Sequence, residues 1–233
     1  MKVVAVIPAF NEATVIAQVV SQVKSKVAEV IVVDDGSADT TGYVAQSAGA
    51  TVARHFLNRG QGAALQTGIA LALRHEADII VTFDADGQHV AEEIDAVIAP
   101  LLLGAVDVVL GSRFLNKTNT IPFWRIQLLK IATRFTAFYT GLTVTDAHNG
   151  FRALSAKAAK LITITQDGMA HASEIIEEIK RHDLRFTEVG VTINYTYYSL
   201  EKGQKLTNSL RIVWELLLSR ISKWLLRFLL FYL

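Results

Sequence analysis

Residues 79 to 89 read IIVTFDADGQH. Four of the first five are apolar or aromatic, and the run does not alternate. That pattern fits a strand covered on both faces, as in a parallel sheet. Asp84 and Asp86 then stand one residue apart, followed by Gly87, Gln88 and His89. On an extended chain the two acids share a side. Two carboxylates that close do not both ionise cheaply unless something positive joins them. Two readings follow. A hard divalent cation sits there, as Mg²⁺ does with one or two carboxylates and substrate phosphates, with Gln88 as a neutral oxygen ligand. Alternatively, Asp86 caps a helix starting near Val90. His89 is expected to hold the shape of the turn rather than touch an ion.

The same rhythm extends in both directions. Apolar runs at 3–7, 30–33, 51–54, 78–83 and 107–112 are strand candidates, and 12–27, 39–49, 61–75 and 91–103 have helical spacing. Strand–helix alternation predicts a doubly wound, mostly parallel α/β sheet. Ligands of such sheets bind beyond the carboxyl ends of the strands. Polar residues gather at those ends: PAFNE, DDGSADTT, DADGQH and GSRF. Asp34, Asp35, Asp84, Asp86 and Arg113 should therefore converge on one rim. Asp39 is the candidate cap of the helix after the second strand, which leaves the Asp34–Asp35 pair free for ribose hydroxyls or a base edge. The stretch NRGQGAALQTG, 58–68, places glycines before a helix, a weak phosphate-binding signal without the P-loop Lys-Ser/Thr.

The 233 residues are 51% hydrophobic with net charge +1, enough for a large core and no reason to expect nucleic acid. The absence of cysteine excludes disulfides and thiolate metal sites and points to a reducing compartment. The opening MKVVAVIPAF reads as a first strand, not a signal peptide. Residues 201–233 carry six basic side chains against Glu201 and Glu215. The segments 121–141 and 210–233 are apolar with interspersed Arg and Lys, and neither has the roughly 18 uncharged apolar residues of a spanning helix. Both are expected to lie in a membrane interface, with core or dimer helices as the alternative. Arg113 and Arg125 are the better phosphate candidates, because guanidinium pairs with phosphate oxygens bidentately. Lys205 sits in a glycine-containing loop that can close over a ligand or simply be a solvated charge.

Taken together, VIPAFNE, VVDDGSADTT, RGQGAALQTGI, DADGQH, GSRF and DAHNGFRA resemble the family 2 glycosyltransferases, most closely the dolichyl- or polyprenyl-phosphate hexose synthases. The resemblance covers roughly 3–205 and implies a GT-A fold, a nucleotide-sugar donor and Mg²⁺ or Mn²⁺. It implies that Pro8, Phe10, Glu12, Asp34 and Asp35 line the nucleotide pocket with Asp84, and that Lys205 folds over the diphosphate. Asp84, Asp86 and Gln88 would hold the metal. Arg113 and Arg125 would face donor and acceptor phosphates, and with Asp86 they would carry catalysis. Asp146, Asn149 and Arg152, with Arg125, would bind the acceptor. Residues 1–205 then form the catalytic domain, including the interfacial helix 121–141, and 206–233 a membrane-surface helix. The chain departs from the family at Gly190, where proline is usual, and at Ala147 and His148, where Pro-Thr or Pro-Ser is common.

The expected reaction is inverting transfer of a hexose from a UDP- or GDP-sugar to polyprenyl phosphate, on the cytoplasmic face of a membrane, by a peripheral protein. A second copy of the chain or a small membrane protein is the expected partner. Two alternatives are a saccharide hydroxyl acceptor and a non-catalytic nucleotide-sugar-binding module. Glu174 separates the acceptors: a hydroxyl needs a base and Glu174 is the spare one, whereas a phosphate needs none.

Overall fold

The structure is a computed structural model that describes residues 1–116 and 123–194. Among them, seven strands form one sheet: β1 Val3–Ala9, β2 Glu29–Asp34, β3 Thr51–Arg54, β4 Ile79–Thr82, β5 Val108–Ser112, β6 Arg152–Ser155 and β7 Phe186–Gly190. Their order is β3-β2-β1-β4-β6-β5-β7. Every pairing is parallel except those of β6, which runs antiparallel to β4 and β5. The expected mostly parallel α/β sheet is present.

Alternate residues of each central strand feed two cores. On one face Ala5, Ile7, Val30, Val32, Ile79 and Val81 pack with Ile16, Val19, Val20 and Val23 of α1, Ile16–Lys24. Those four recur at helical spacing, which is why this segment buries one stripe. Helices α2, Thr41–Ser47, and α4, Ile94–Leu102, complete that layer. On the other face Val4, Val6, Ile31, Val33 and Ile80 meet α3, Gln61–Arg74, α6, Ala156–Leu161, and α7, His171–Arg181. Helix α5, Phe123–Thr140, packs on α7, where the Thr136 and Ser173 hydroxyls lie 3.0 Å apart.

Helix starts differ from the sequence reading where turns intervene. The span 12–27 yields helix only from Ile16, because the Glu12 carbonyl accepts from both Val15 and Ile16 and closes a turn first. Thr40, not Asp39, is the residue flanking α2, yet Asp39 Oδ1 still accepts the Thr41 N–H at 2.9 Å and the Thr41 hydroxyl. Strand β1 pairs with β2 as far as Ala9–Asp34 but leaves β4 at Val6–Thr82. Residues 83–89 therefore turn over the rim beside the longer strands.

Candidate active site

The acidic turn begins where β4 ends. Phe83 and Ala85 point inward, and Asp84 and Asp86 are half-buried at the rim. Asp86 Oδ1 accepts the Gln88 N–H at 3.0 Å, so Asp86 shapes its own turn. It does not cap the following helix: Val90 precedes a short 3-10 turn, Ala91–Glu93, with no side-chain cap. Asp84 is held from two sides, by Gln61 Nε2 at 3.0 Å and His89 Nε2 at 2.9 Å. His89 is buried edge-on between the rings of Phe83 and Phe151, so it fixes the turn as expected.

The electrostatics of the pair are lopsided. Burial works to raise the Asp84 carboxyl, but the His89 hydrogen bond, with the Arg152 charge adding to it, outweighs burial and holds Asp84 below the usual carboxylate range. Burial and the neighbouring Asp84 charge push Asp86 up to about 6, with Glu12 adding to the push. A divalent cation would reverse that repulsion, and the donors within reach are hard oxygens, the kind such ions prefer. Among the described residues no three His, Cys, Asp or Glu side chains cluster as a complete metal cage. The donor set fits an ion that takes its remaining ligands from a substrate.

The loops after β1 and β2 are tied to each other. Asn11 and Glu12 donate backbone N–H groups to the Ser37 and Thr41 hydroxyls at 2.9 and 2.7 Å, and Ala38 donates to Asn11 Oδ1 at 2.9 Å. Pro8 is buried within β1, while Phe10 is 44% exposed at the rim. Asp34 accepts from the Ser37 N–H at 2.9 Å, and its Oδ2 is buried with no hydrogen bond, 3.4 Å from Arg54 Nε. Asp35 is also buried and has a different set of partners. It accepts from the Arg59 and Gly60 N–H groups at 3.0 and 2.6 Å and contacts His55 Nδ1 at 2.6 Å.

The glycines of NRGQG serve packing. The Asp167 carbonyl accepts the N–H groups of Gly62 and Ala63 at 2.8 and 3.3 Å, so the start of α3 is engaged by backbone. Side chains at Gly60 or Gly62 would collide with the 166–167 carbonyls. The residue between them, Gln61, is the one that reaches Asp84.

Arg113, Asp146, Asn149 and Arg152 are brought together but largely inside. Arg113 Nε and N–H both donate to Asp146 Oδ2, at 2.6 and 3.1 Å, and Arg113 also donates to the His148 carbonyl at 3.3 Å. Arg152 donates to the Ala147 carbonyl at 3.0 Å, and burial brings it down to about 10 against the charges of Asp84 and Asp146. Asp146 and Asn149 are buried, 2% and 1% exposed. Asn149 Nδ2 and His148 Nε2 are buried without a partner. Burial also holds the imidazoles of His148 and His171 down at about 4, so both are neutral near pH 7.

Arg125 lies on α5 with its side chain outside the described residues, and Lys205 and the expected helix 206–233 lie wholly outside them. Gln61, His171 and Gly150 were not picked out from sequence. A side chain at Gly150 would strike both Asp84 oxygens. The only sequence signal for Gln61 is an amide set between two glycines at a helix start.

The family model for glycosyl transferase family 2 matches residues 4–162. The chain belongs to this family. As a family 2 glycosyltransferase it is 38% identical to an uncharacterised Methanocaldococcus jannaschii protein, over 93% of this chain and 91% of that one. It is 31% identical to the UDP-N-acetylglucosamine–dolichyl-phosphate N-acetylglucosaminyltransferase of Methanococcus voltae, covering 94% of this chain and 96% of the relative. It is also 31% identical to the polyprenol monophosphomannose synthase of Mycolicibacterium smegmatis, covering 82% and 76%. The fold matches that of glucosyl-3-phosphoglycerate synthase from Mycobacterium tuberculosis, solved with Mn²⁺, UDP-glucose and phosphoglyceric acid, at a TM-score of 0.73 and 22% identity over 95% of this chain and 80% of that one. The sheet is thus that of the GT-A glycosyltransferases.

Proposed function

We propose that this family 2 glycosyltransferase moves a hexose from a UDP- or GDP-linked donor to a polyprenyl phosphate at the cytoplasmic face of a membrane, with inversion. The carrying observation is Glu174. This acid opens α7 and is 4% exposed. Its oxygens accept the N–H groups of Thr165 and Gln166 at 2.9 and 2.8 Å, and the Thr165 hydroxyl. A carboxylate so enclosed is poorly placed to take a proton from a sugar hydroxyl. A phosphate monoester, with a second pKa of about 6, arrives largely ionised and needs no base. The names of the Methanococcus voltae and Mycolicibacterium smegmatis relatives, both lipid-phosphate glycosylating enzymes, support the same acceptor class.

In this reading an acceptor phosphate oxygen attacks the anomeric carbon as its bond to the nucleoside diphosphate breaks, and the diphosphate leaves with the electron pair. Asp84, Asp86 and Gln88 would hold Mg²⁺ or Mn²⁺, which when bound neutralises charge on the leaving diphosphate. Phe10, Glu12, Asp34 and Lys205 would border the nucleotide, and Pro8 and Asp35 would set the loops around it. Arg125 would meet acceptor phosphate. The Arg113–Asp146 pair, with Asn149 and Arg152, would fix the wall behind it and its positive potential.

A membrane surface is supported by the outer face of α5. Ile131 and Phe138 are 61% and 84% exposed there, beside exposed Lys130 and Arg134. That pairing of apolar and basic groups suits a lipid headgroup region. No described helix is long and apolar enough to cross a membrane. The segment 206–233, if it lies on the membrane as its apolar and basic sequence suggests, would add a second contact, and a further copy or a small membrane protein could complete the assembly. A turnover assay with UDP- and GDP-sugars, run with polyprenyl phosphate or saccharide acceptors and with metal or chelator, tests the proposal. Chelator-sensitive product with the lipid phosphate is expected. No product with any polyprenyl phosphate, or product with saccharides alone, would overturn it.

A further inference from the structure

We propose that Gln61 and His89 are positioning residues that together seat the Asp84 carboxylate for a divalent cation. The inference rests on the metal reading above and concerns two residues that reading leaves without a role. Gln61 Nε2 donates to Asp84 Oδ1 at 3.0 Å, and His89 Nε2 donates to Oδ2 at 2.9 Å. A carboxylate oxygen has about two lone-pair sites. Each Asp84 oxygen therefore keeps one, and the two bonds fix the direction in which it points.

The rest of the seat is equally determined. Gly150 closes one side, since any side chain there would collide with both oxygens. His89 cannot swing away, because its ring lies 5.3 Å from the centroids of Phe83 and of Phe151. Its Nδ1 is buried without a hydrogen-bond partner, so Nε2 is the ring nitrogen that ties it to Asp84. Gln61 is set by the first turn of α3, whose N–H groups are taken by the Asp167 carbonyl. Both contacts reach Asp84 from its sides and leave its outward face open to a cation. Asp86 differs: its bond to the Gln88 N–H lies within its own turn. Asp84 is anchored to a helix from elsewhere in the chain and to a ring packed in the core, and serves as the reference point for Asp86.

Outer partners of ligating groups typically contribute about 10–100-fold to metal affinity. The test measures Mn²⁺ binding to the full chain by electron paramagnetic resonance, with UDP and separately with GDP, and with no acceptor present. Gln61→Ala removes one donor at a half-exposed helix start, and His89→Phe removes the other while keeping an aromatic ring. Each should bind Mn²⁺ about 10–100-fold more weakly than wild type. The apparent KM for Mn²⁺ should rise while kcat at saturating Mn²⁺ stays within about threefold, a split that general loss of structure does not produce. If His89→Phe does not fold, Gln61→Ala decides alone. Wild-type affinity in Gln61→Ala overturns the seat and leaves the metal reading standing. A wild-type chain that takes up no Mn²⁺ with either nucleotide overturns both. Failure with a lipid acceptor touches neither, because no acceptor enters the binding measurement.

Discussion

Asp86 and Glu174 are both acids beside the carboxyl-end rim of the sheet, and their circumstances are opposite. Glu174 has its charge met by two backbone N–H groups and a hydroxyl. Asp86 accepts one N–H from its own turn and is pushed up to about 6 by burial and by Asp84. A buried charge that the fold has satisfied belongs to the architecture. One that the fold has left repelled marks a place where something from outside completes the balance. The same contrast separates the Arg113–Asp146 ion pair, closed on itself at 2.6 Å, from the acidic turn.

Removing the unmet charge should damage function most. Asp86→Asn should lower turnover roughly 1,000-fold, the scale of several kcal/mol of lost charge stabilisation. Its metal-free melting temperature should hold or rise, since the repulsion with Asp84 is relieved. A melting temperature that falls with activity would break the contrast. Asp146→Ala should do the reverse. It strands a buried guanidinium, and breaking a buried pair costs about 3 kcal/mol or more. Chemical denaturation reads that loss directly, and a variant as stable as wild type would show the pair to be no part of the architecture.

Asp86 also predicts a pH dependence. Its folded-state pKa is raised from 3.8 to about 6, so the metal-free fold gains stability from protonating it. That gain is complete below about 3.8 and is lost as pH rises through about 6. Metal binding needs the carboxylate and has the opposite sign. Mn²⁺ affinity measured with UDP or GDP should be flat above pH 7 and fall about tenfold per pH unit below 6, as one competing proton requires. An affinity unchanged down to pH 5 would remove Asp86 from the metal's ligands.

The parallel half of the sheet was legible because VVAVI, VIVV and IIVTF are continuous apolar runs, which only strands buried on both faces need. Strands β6 and β7 were not. β6 is four residues long, starts with Arg152 and enters between β4 and β5 from far along the chain. β7 is half-exposed at the sheet edge and contains Glu188, so neither shows a clear period. The acidic turn was legible as chemistry, since two acids after a buried strand demand an explanation. Its supports were not: Gln61 and Gly150 matter only through distances that folding creates. Sequence singled out Arg113 and Asp146 separately, and only the structure shows that they pair with each other. Spacing identifies charged groups near a rim but not which of them satisfy one another.

The smallest effect tests the other side of the comparison. Glu174→Gln keeps the shape of the side chain, and its amide oxygen can accept the Thr165 and Gln166 N–H groups as Oε2 does now. The amide nitrogen can donate to the Thr165 oxygen in place of the bond that Oε1 accepts. What is lost is the extra strength of bonds to a charged acceptor, about 1 kcal/mol of stability. Turnover with polyprenyl phosphate should fall less than about tenfold, whereas loss of a general base typically costs 100-fold or more. A drop of that size with unchanged stability would show that Glu174 leaves its donors during the reaction. It would then be working as a base, and the acceptor would be a hydroxyl.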